Sequence, residues 1–309
     1  MVNRGLSDKS KNLILKKLFY FGLIILPVMQ FAIFYIFVNF NSFLLAFQEF
    51  DLWGETATFA GLKNFSTVFD ELFTKKIFNK IFTNSLIASG ANLLVGIPLA
   101  VLFSHYIYRK GALAGLFKTI LYIPHVVSSV SLVIIYKYFV ELGIPFVIQS
   151  MNGGELIAGL YSNPDTSFAT VLFFNLWIGF GPQVLMYSSS MSSINESLLE
   201  AAELDGITYL KELWYIVIPS IYSVIVTYVL VGISAVFNNQ MSLYSFGGIN
   251  VPQENQTFGY YLYREIKRNS TTTAEWPRLA AFGLVFTFVI APITFFAKWL
   301  MKKLGPKDY

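Results

Sequence analysis

The spacing of charged residues constrains what this chain can fold into more than any other feature. Six stretches of at least 18 residues contain no Asp, Glu, Lys or Arg. A charge at the bilayer centre costs roughly 2.5–3.5 kcal/mol on insertion scales, and about 20 apolar residues cross the hydrocarbon core. Each stretch therefore predicts one transmembrane helix. The six stretches are 18–48, 81–108, 119–136, 166–195, 213–253 and 279–297.

The composition agrees with a chain that is largely surrounded by lipid. Hydrophobic residues make up 55% of the sequence and charged residues only 13%, about half the usual quarter. A soluble domain could not cover so much apolar surface with so few charges. The modest net charge of +4 gives no indication of nucleic-acid binding. We therefore predict an all-α polytopic membrane protein with six transmembrane helices.

Two of the assignments depend on residues that break helices. The stretch 213–253 could hold two helices, but Asn238, Asn239 and Gln240 and a glycine pair interrupt its second half, so we predict one. Residues 142–154 contain Pro145 and the glycine pair Gly153-Gly154 and are predicted to form a loop. Residues 18–303 then form a single six-span domain between an N-terminal tail at 1–17, which does not resemble a cleaved signal peptide, and a C-terminal tail at 304–309.

The orientation follows from the distribution of lysine and arginine. With both termini in the cytoplasm, 13 of the 22 basic residues lie inside and 9 lie outside. Cytoplasmic segments of membrane proteins are enriched in Lys and Arg, so we expect both termini on that side. The long outer segments are then 49–80, 137–165 and roughly 241–278. Amphipathic pieces such as 65–78 either lie on the membrane surface or dock a partner.

Several kinds of chemistry are excluded or weakened by what the sequence lacks. The chain has no cysteine, which excludes disulfides and thiolate catalysis. The six stretches hold no ionisable carboxylate or amine, and their histidines are His105, near an end of the second stretch, and His125; this argues against an ion-coupled carrier. No phosphate-binding loop is present, so energy for active transport would come from another subunit. Two alternatives remain: a membrane-embedded enzyme using His125 with Ser128 or a carboxylate, and a passive channel subunit.

The segment at 193–220 is the most informative part of the sequence. Ser193 and Glu196 fit a capping box, and apolar residues at helical spacing follow. Asp205-Gly206 predicts the end of that helix, and Thr208 can begin a second helix that runs into the fifth span. The small pair Ala201-Ala202 would let another protein surface approach closely. The alternative is a solvated connector with helix-favouring residues.

This segment resembles the EAA loop of binding-protein-dependent ABC importer permeases, and we call residues 193–220 the EAA loop. The resemblance departs from the family pattern at three hydrophobic or peripheral positions, where this chain has Ile207, Leu213 and Ser223. It implies a type I importer permease fold. It also implies that the loop inserts into a cytoplasmic ATPase, that Glu200 contacts that subunit and that Gly206 makes the turn. The residues that carry the resemblance are Glu200, Ala201, Ala202, Asp205, Gly206, Ile216 and Pro219.

Other segments resemble the carbohydrate-importing group of that family, on the side of the first permease subunit of maltose-type systems. They are Phe59 to Phe65, Tyr122-Ile123-Pro124, and the outer stretch with Tyr244, Gly247, Gly248, Thr257 and Tyr261. The resemblance implies import of a carbohydrate, expected to be an oligosaccharide. The implied partners are a second homologous six-span permease, two copies of an ATPase that bind ATP and Mg²⁺, and an extracytoplasmic sugar-binding protein. It implies no cofactor, metal or catalysis on this chain.

Candidate solute contacts come from residue types that suit sugars. Sugar hydroxyls need neutral donors and acceptors, and their C–H faces pack on aromatic rings. Asn175 and Trp177 lie two apart on a helix, about 200° around its axis, so both contact solute only in a broad cavity or a helix distorted near Pro182. The alternative is that the amides join neighbouring helices. The candidates are Asn175, Trp177, Gly179, Ser128, Asn238 and Asn239.

Overall fold

The computed structural model of the chain describes residues 8–51, 56–151, 154, 157–269 and 273–306, and parts of both predicted tails lie outside them. Helices account for most of the described residues, and π-helical turns extend four of them at Phe31–Phe37, Asn92–Gly96, Phe139–Gly143 and Leu213–Val217. The helices are α1 (Asp8–Gln30), α2 (Val38–Leu45), α3 (Lys63–Thr74), α4 (Ile77–Ala91), α5 (Ile97–Tyr108), α6 (Ala114–Val126), α7 (Ser129–Tyr138), α8 (Ile144–Met151), α9 (Pro164–Met191), α10 (Glu196–Leu204), α11 (Tyr209–Glu212), α12 (Ile218–Ser220), α13 (Tyr222–Ser234), α14 (Leu243–Gly247), α15 (Phe258–Arg268) and α16 (Trp276–Leu304).

The predicted six-span architecture is confirmed when one bent helix pair is counted as a span. Within the described ranges, five continuous helical segments are long and apolar enough to cross a membrane. The sixth candidate is a pair of helical segments that meet at 76°. The spans are Asn12–Leu45, Ile77–Tyr108, Ser129–Met151, Pro164–Met191, Thr273–Leu304 and the bent pair Tyr209–Ser220 with Tyr222–Ser234.

The prediction for the third span is wrong in two respects. The stretch 119–136 is not one helix, because the backbone is extended at Val127, with ψ 145°, and at Ser128, with ψ 124°, and this separates α6 from α7. The predicted loop at 142–154 is helical as far as Met151, and Pro145 follows the π-helical turn at Phe139–Gly143, where the regular hydrogen-bond pattern of the helix is already altered. Residues 152 and 153 of that predicted loop lie outside the described residues.

The fifth span is broken where a continuous helix was predicted. Pro219 lacks a backbone N–H, and a π-helical turn at Leu213–Val217 precedes it. Ile221 then has φ −100° and ψ 12°, which is outside the helical region. Helix α13 ends at Ser234, so the amides at 238 and 239 lie in the turns that follow it. The first span also begins earlier than predicted, because α1 starts at Asp8 within the predicted polar tail.

The described chain divides into two compact units, and the first comprises Met1–Val68 and Thr272–Leu284. This unit adds a short antiparallel ribbon to the predicted all-helical fold, with β1 (Gln48–Phe50) paired to β2 (Ala57–Phe59). The side chain of Asn64 donates to the carbonyl oxygens of Ala46 and Gln48, at 2.9 and 2.8 Å. These bonds hold the start of α3 against the end of the first span.

The second unit comprises Phe69–Thr271 and Val285–Tyr309 and contains two apolar clusters. One joins α5 and α9 to the segment 213–221 through residues such as Val101, Tyr187 and Leu213. The other packs α7 and α9 against the segment 241–260. Helix α9 runs through Pro182 without interruption, and Gly181 allows it to touch α6, since a Cβ there would collide with the carbonyl oxygen of Leu121. Helix α9 is therefore common to both clusters.

Candidate functional site

The first helix of the EAA loop, α10, begins two residues later than the predicted capping box requires. Asn195 is the N-cap, and its side-chain oxygen accepts from the N–H of Ser197 at 3.1 Å. Ser193 instead donates its hydroxyl to the carbonyl oxygen of Ser190 at 2.6 Å. The capping box at Ser193 and Glu196 is therefore wrong, while the helix that it was meant to begin is present.

The predicted helix end at Asp205-Gly206 is confirmed. Gly206 has φ +70°, a left-handed conformation that glycine adopts without steric cost. Its N–H donates to the carbonyl oxygen of Glu203 at 3.0 Å, and the N–H of Ile207 donates to that of Ala202 at 3.1 Å. This is the Schellman pattern that satisfies the last carbonyls of a helix. It produces a tight turn between α10 and α11, with Thr208 at the N-cap position of α11.

The side chains on which the resemblance rests are presented outward by this turn. Glu200, Ala201 and Asp205 are exposed, as is Pro219 two residues before the bend at Ile221. Leu199 on the opposite face of α10 is buried, at 7% exposure. Leu204 is 90% exposed, although a large apolar residue at the end of a short helix is a natural core position. Helix α10 is thus anchored by one leucine and presents a mixed acidic and apolar surface.

A group of four charged or ionisable side chains ties the EAA loop to the end of the second span. A hydrogen bond of 3.0 Å joins His105 Nε2 and Glu212 Oε1, and both side chains are buried. Arg109 Nη2 donates to Glu203 Oε1 at 2.6 Å, and its Nε lies 3.5 Å from Glu212 Oε1. We call His105, Arg109, Glu203 and Glu212 the clamp. The hydrogen bond to Glu203 raises the pKa of Arg109, so its guanidinium stays charged throughout the physiological pH range.

The clamp is not evident from the sequence. His105 lies near an end of the second predicted span, and no residue near it in the sequence indicates a partner. Glu212 borders the fifth charge-free stretch. A glutamate beside an apolar helix is either exposed at the helix end or buried with a partner, and the sequence does not identify that partner.

A cavity of about 190 Å³ lies between the second span, α9 and the turns after α13. It contains three of the predicted solute contacts, Asn175, Gly179 and Asn239, together with Asn92 from the π-helical turn of the second span. No charged side chain lines it among the described residues. The lining residues are Ala88, Asn92, Leu172, Asn175, Leu176, Gly179, Asn239 and Met241.

Hydrogen bonds between chain segments hold the amides of this cavity in place. Asn175 Nδ2 donates to the carbonyl oxygens of Val171 and Met241, at 2.9 and 2.6 Å. Asn92 Oδ1 accepts from Gln183 Nε2 at 3.0 Å. Both amide hydrogens of Asn175 are therefore used within the protein, which leaves its Oδ1 as the atom able to accept from a solute hydroxyl. Asn92 was missed from the sequence, although an amide inside a charge-free stretch is a signal for it.

The remaining predicted contacts lie away from this cavity. Trp177 is not among the residues that line it and packs near Tyr136 and Phe174, with ring centroids 6.3 and 6.1 Å apart. Asn175 and Trp177 therefore do not share this cavity, and α9 shows no break at Pro182. Ser128 is exposed at the break between α6 and α7, and Asn238 is exposed in the turns after α13.

The arrangement that the enzyme alternative needs is not assembled among the described residues. His125 is exposed and lies beside Tyr122, with ring centroids 5.7 Å apart. No hydrogen bond in the described part of the chain joins it to Ser128. Within the same ranges, no three His, Asp or Glu side chains come close enough together to hold a metal ion.

The transmembrane spans and the EAA loop agree with the family to which the sequence matches. Residues 92–307 match the family of binding-protein-dependent transport system inner membrane components. The match covers most of the chain, so this protein belongs to that family and is a multi-pass protein of the cell membrane.

Curated relatives carry transport names. The polygalacturonan/rhamnogalacturonan transport system permease protein YteP of Bacillus subtilis (strain 168) is 26% identical over 96% of this chain and 93% of its own length. The probable ABC transporter permease protein YurN of the same organism is 25% identical over 77% and 83%. The sn-glycerol-3-phosphate transport system permease protein UgpA of Yersinia pestis is 24% identical over 79% and 82%.

Two solved structures share the fold. A chain of a bacterial ABC transporter involved in the import of the acidic polysaccharide alginate matches with a TM-score of 0.76 at 20% identity, over 97% of this chain and all of that one. A chain of the alginate transporter in complex with a periplasmic protein that carries an alginate pentasaccharide matches with a TM-score of 0.75, over 96% and 99%. The fold is that of an ABC importer permease.

Proposed function

We propose that this chain is a membrane-spanning permease subunit of an ATP-driven importer that moves a carbohydrate, with oligosaccharides as the expected cargo. One observation carries the proposal. In this chain, the second span lines an uncharged cavity with the amide of Asn92. The clamp fixes the end of the same span to the EAA loop. The names of YteP and of the alginate transporter support a saccharide as cargo.

The cavity suits hydroxyl-rich cargo. Asn175 offers its neutral Oδ1, and Asn92 and Asn239 offer amide N–H groups, at positions held by hydrogen bonds within the protein. Each hydrogen bond to a hydroxyl is worth about 0.5–1.5 kcal/mol net, so binding is weak enough for release. Trp177, Ser128 and Asn238 lie outside this cavity and would meet cargo only in another conformation or at the face shared with a second permease.

The energy comes from subunits other than this chain. The exposed face of α10 with Glu200, Ala201, Ala202 and Asp205 docks into a cleft on an ABC ATPase, and the Gly206 turn sets the shape of the loop. Pro219 lies beside the bend of the fifth span, where a push on the loop reaches the membrane. ATP and Mg²⁺ are bound by two copies of the ATPase, and this chain itself is not catalytic.

The remaining partners follow from the family and from the topology. A second homologous six-span permease completes the path, and a sugar-binding protein delivers cargo from outside the cell. The EAA loop and both termini face the cytoplasm, in agreement with the 13-to-9 distribution of basic residues. The outer surface then includes the β1–β2 ribbon and the segment 241–269.

Transport by the purified complex in proteoliposomes tests this function. The liposomes enclose ATP, the binding protein is added outside, and the probes are radiolabelled neutral glucan and acidic galacturonan oligosaccharides. We expect accumulation of an oligosaccharide that requires both hydrolysable ATP and the binding protein. Equilibration without ATP would instead identify a passive channel subunit, and release of a chemically altered sugar would identify a membrane-embedded enzyme.

A further inference from the structure

The clamp connects three separate segments of the chain. His105 and Arg109 belong to the end of the second span, Glu203 to α10, and Glu212 to α11. The two EAA-loop helices meet at Gly206, so the clamp closes across their turn. It therefore fixes both helices of the loop to one end of one span.

The buried half of the clamp is the anchor. The side chain of His105 is fully buried and that of Glu212 is 3% exposed. The ring of Tyr209 lies over the imidazole, with centroids 4.2 Å apart. A carboxylate in such surroundings is strongly disfavoured unless hydrogen-bonded and paired. Glu212 consequently holds α11 in one position relative to the second span.

The outer half of the clamp controls α10. Arg109 contacts Glu203 on one side of the Gly206 turn and Glu212 on the other. The turn itself is exposed, and no atom lies within 4 Å of the place where a Cβ of Gly206 would be. Packing at the turn therefore does little to prevent α10 from hinging. The guanidinium, with its planar fork of donors, supplies the restraint that the turn lacks.

We infer that Arg109, with Glu212 and His105, is a positioning residue through which displacement of α10 is transmitted to the second span. This rests on the proposed function and adds the physical connection to it. Asn92 lies thirteen residues before His105 in the same continuous helical span, about 20 Å along its axis. A rigid helix is an effective carrier of displacement between two sites. A push on the EAA loop thus reaches the amide-lined cavity directly.

Variants on the exposed half of the clamp separate coupling from folding. Glu203→Gln removes the charge pair, keeps side-chain size and leaves the buried His105–Glu212 pair untouched. Arg109→Gln shortens the side chain and removes the contact of Arg109 Nε to Glu212 as well as the bond to Glu203. Arg109→Lys keeps the charge without the planar fork. Lys110→Gln is the matched control, because it removes the same charge from the adjacent exposed residue.

The readout is a single cysteine at position 179, where a Cβ meets nothing within 4 Å. The complex with its ATPase and second permease is labelled with a small maleimide, with and without ATP and vanadate. ATP hydrolysis and ATPase co-purification are measured on the same samples. We expect Arg109→Gln and Glu203→Gln to reduce the nucleotide-dependent change in labelling rate about fivefold while hydrolysis continues. Arg109→Lys should retain more of that change, and Lys110→Gln should retain all of it.

Each possible result either supports or overturns the inference that the clamp transmits motion. If Arg109→Gln and Glu203→Gln respond to nucleotide as the parent does, the clamp does not transmit motion. If they lose ATPase co-purification and hydrolysis together with the labelling change, the clamp only shapes the docking surface and the inference is overturned. If the parent itself shows no nucleotide-dependent labelling, the proposed function fails, and the inference that rests on it fails with it.

Discussion

The second span meets two different environments along one helical run, at Asn92 and at His105. Around Asn92 the polar partners are neutral, with Gln183 donating to it and Asn175 and Asn239 nearby. Around His105 the neighbouring side chains are charged. Glu212 is hydrogen-bonded to His105, and Arg109 lies beside Glu212. Neutral amides hold and release a hydroxylated solute at low cost, whereas opposite charges hold two protein segments in register.

This difference indicates that the cavity and the clamp have different functions. The uncharged cavity would contact cargo weakly and transiently, and the charged end would keep the EAA loop attached while it moves. Substitutions at the charged end of the second span should therefore affect assembly, coupling and stability. Damage at the cavity should affect only passage of solute, and by smaller factors.

The largest expected difference is in labelling from outside the cell, between Phe59 and the EAA loop. Phe59 is 81% exposed and Asp205 is exposed, so a cysteine at either position is accessible to reagents on its own side. A maleimide that cannot cross membranes should label Phe59→Cys in intact cells and Asp205→Cys only after permeabilisation. Labelling of position 205 in intact cells would place the EAA loop outside and reverse the topology.

Replacing Gly206 with valine should have the next largest effect. A β-branched residue at φ +70° costs about 1–3 kcal/mol, which disfavours the turn by roughly tenfold or more. We expect loss of ATPase co-purification with normal membrane insertion. Gly115→Val is the control, because Gly115 also has open surroundings but lies within α6 without a positive φ. Equal retention of the ATPase by both variants would contradict the docking role of the turn.

The two glutamates of the clamp should differ in their effect on stability. Glu212→Ala leaves buried His105 Nε2 without its hydrogen-bond partner, a loss of about 1–3 kcal/mol. Glu203→Ala removes a partner that is half exposed, where ion pairs contribute about 0–1 kcal/mol. Thermal unfolding of the purified chain in detergent should show the larger decrease in Tm for Glu212→Ala. Equal decreases would mean that the buried pair is no stronger an anchor than the exposed one.

The smallest effect is expected in the cavity. Asn175→Ala removes a bond to the Met241 carbonyl oxygen and a potential acceptor for solute, worth about 0.5–1.5 kcal/mol. We expect uptake in the proteoliposome assay to fall by about tenfold at most, with ATPase co-purification unchanged. Trp177→Ala is the comparison, and it should lower uptake less because Trp177 lies outside the cavity. A larger effect at Trp177 would move the cargo route to the face near Tyr136.

The span positions and the EAA turn could be predicted because they follow from local rules. Charge-free stretches of sufficient length must form helices in a bilayer. This rule predicted both ends of α9 to within a few residues. Gly206 was predictable because glycine adopts a left-handed helix end without strain, and that preference is a property of the residue itself. The N-cap was misplaced by two residues, because Ser193 and Asn195 are both residue types that cap helices well.

Contacts between distant segments could not be predicted in the same way. Nothing local indicates that Glu212 faces His105, which lies 107 positions away. The breaks at Val127-Ser128 and Ile221 also depend on how neighbouring helices pack, and Pro145 and Pro182 show that proline alone does not mark a break. Asn175 and Asn239 lie together at the cavity, but Trp177 does not, because a continuous helix directs it elsewhere.

Crosslinking of the EAA loop to the ATPase tests the central claim most directly. The chain contains no cysteine, so Ala201→Cys on the exposed face of α10 provides a unique attachment point for a benzophenone maleimide, whose photoactivated ketone inserts into a C–H bond of whatever protein contacts that position. In membranes that contain the whole complex, we predict a covalent adduct between this chain and the ATPase subunit that forms from position 201. Lys118→Cys, exposed on α6 outside the EAA loop, should form little or none. An adduct of equal yield from position 118, or none from position 201, would contradict the account.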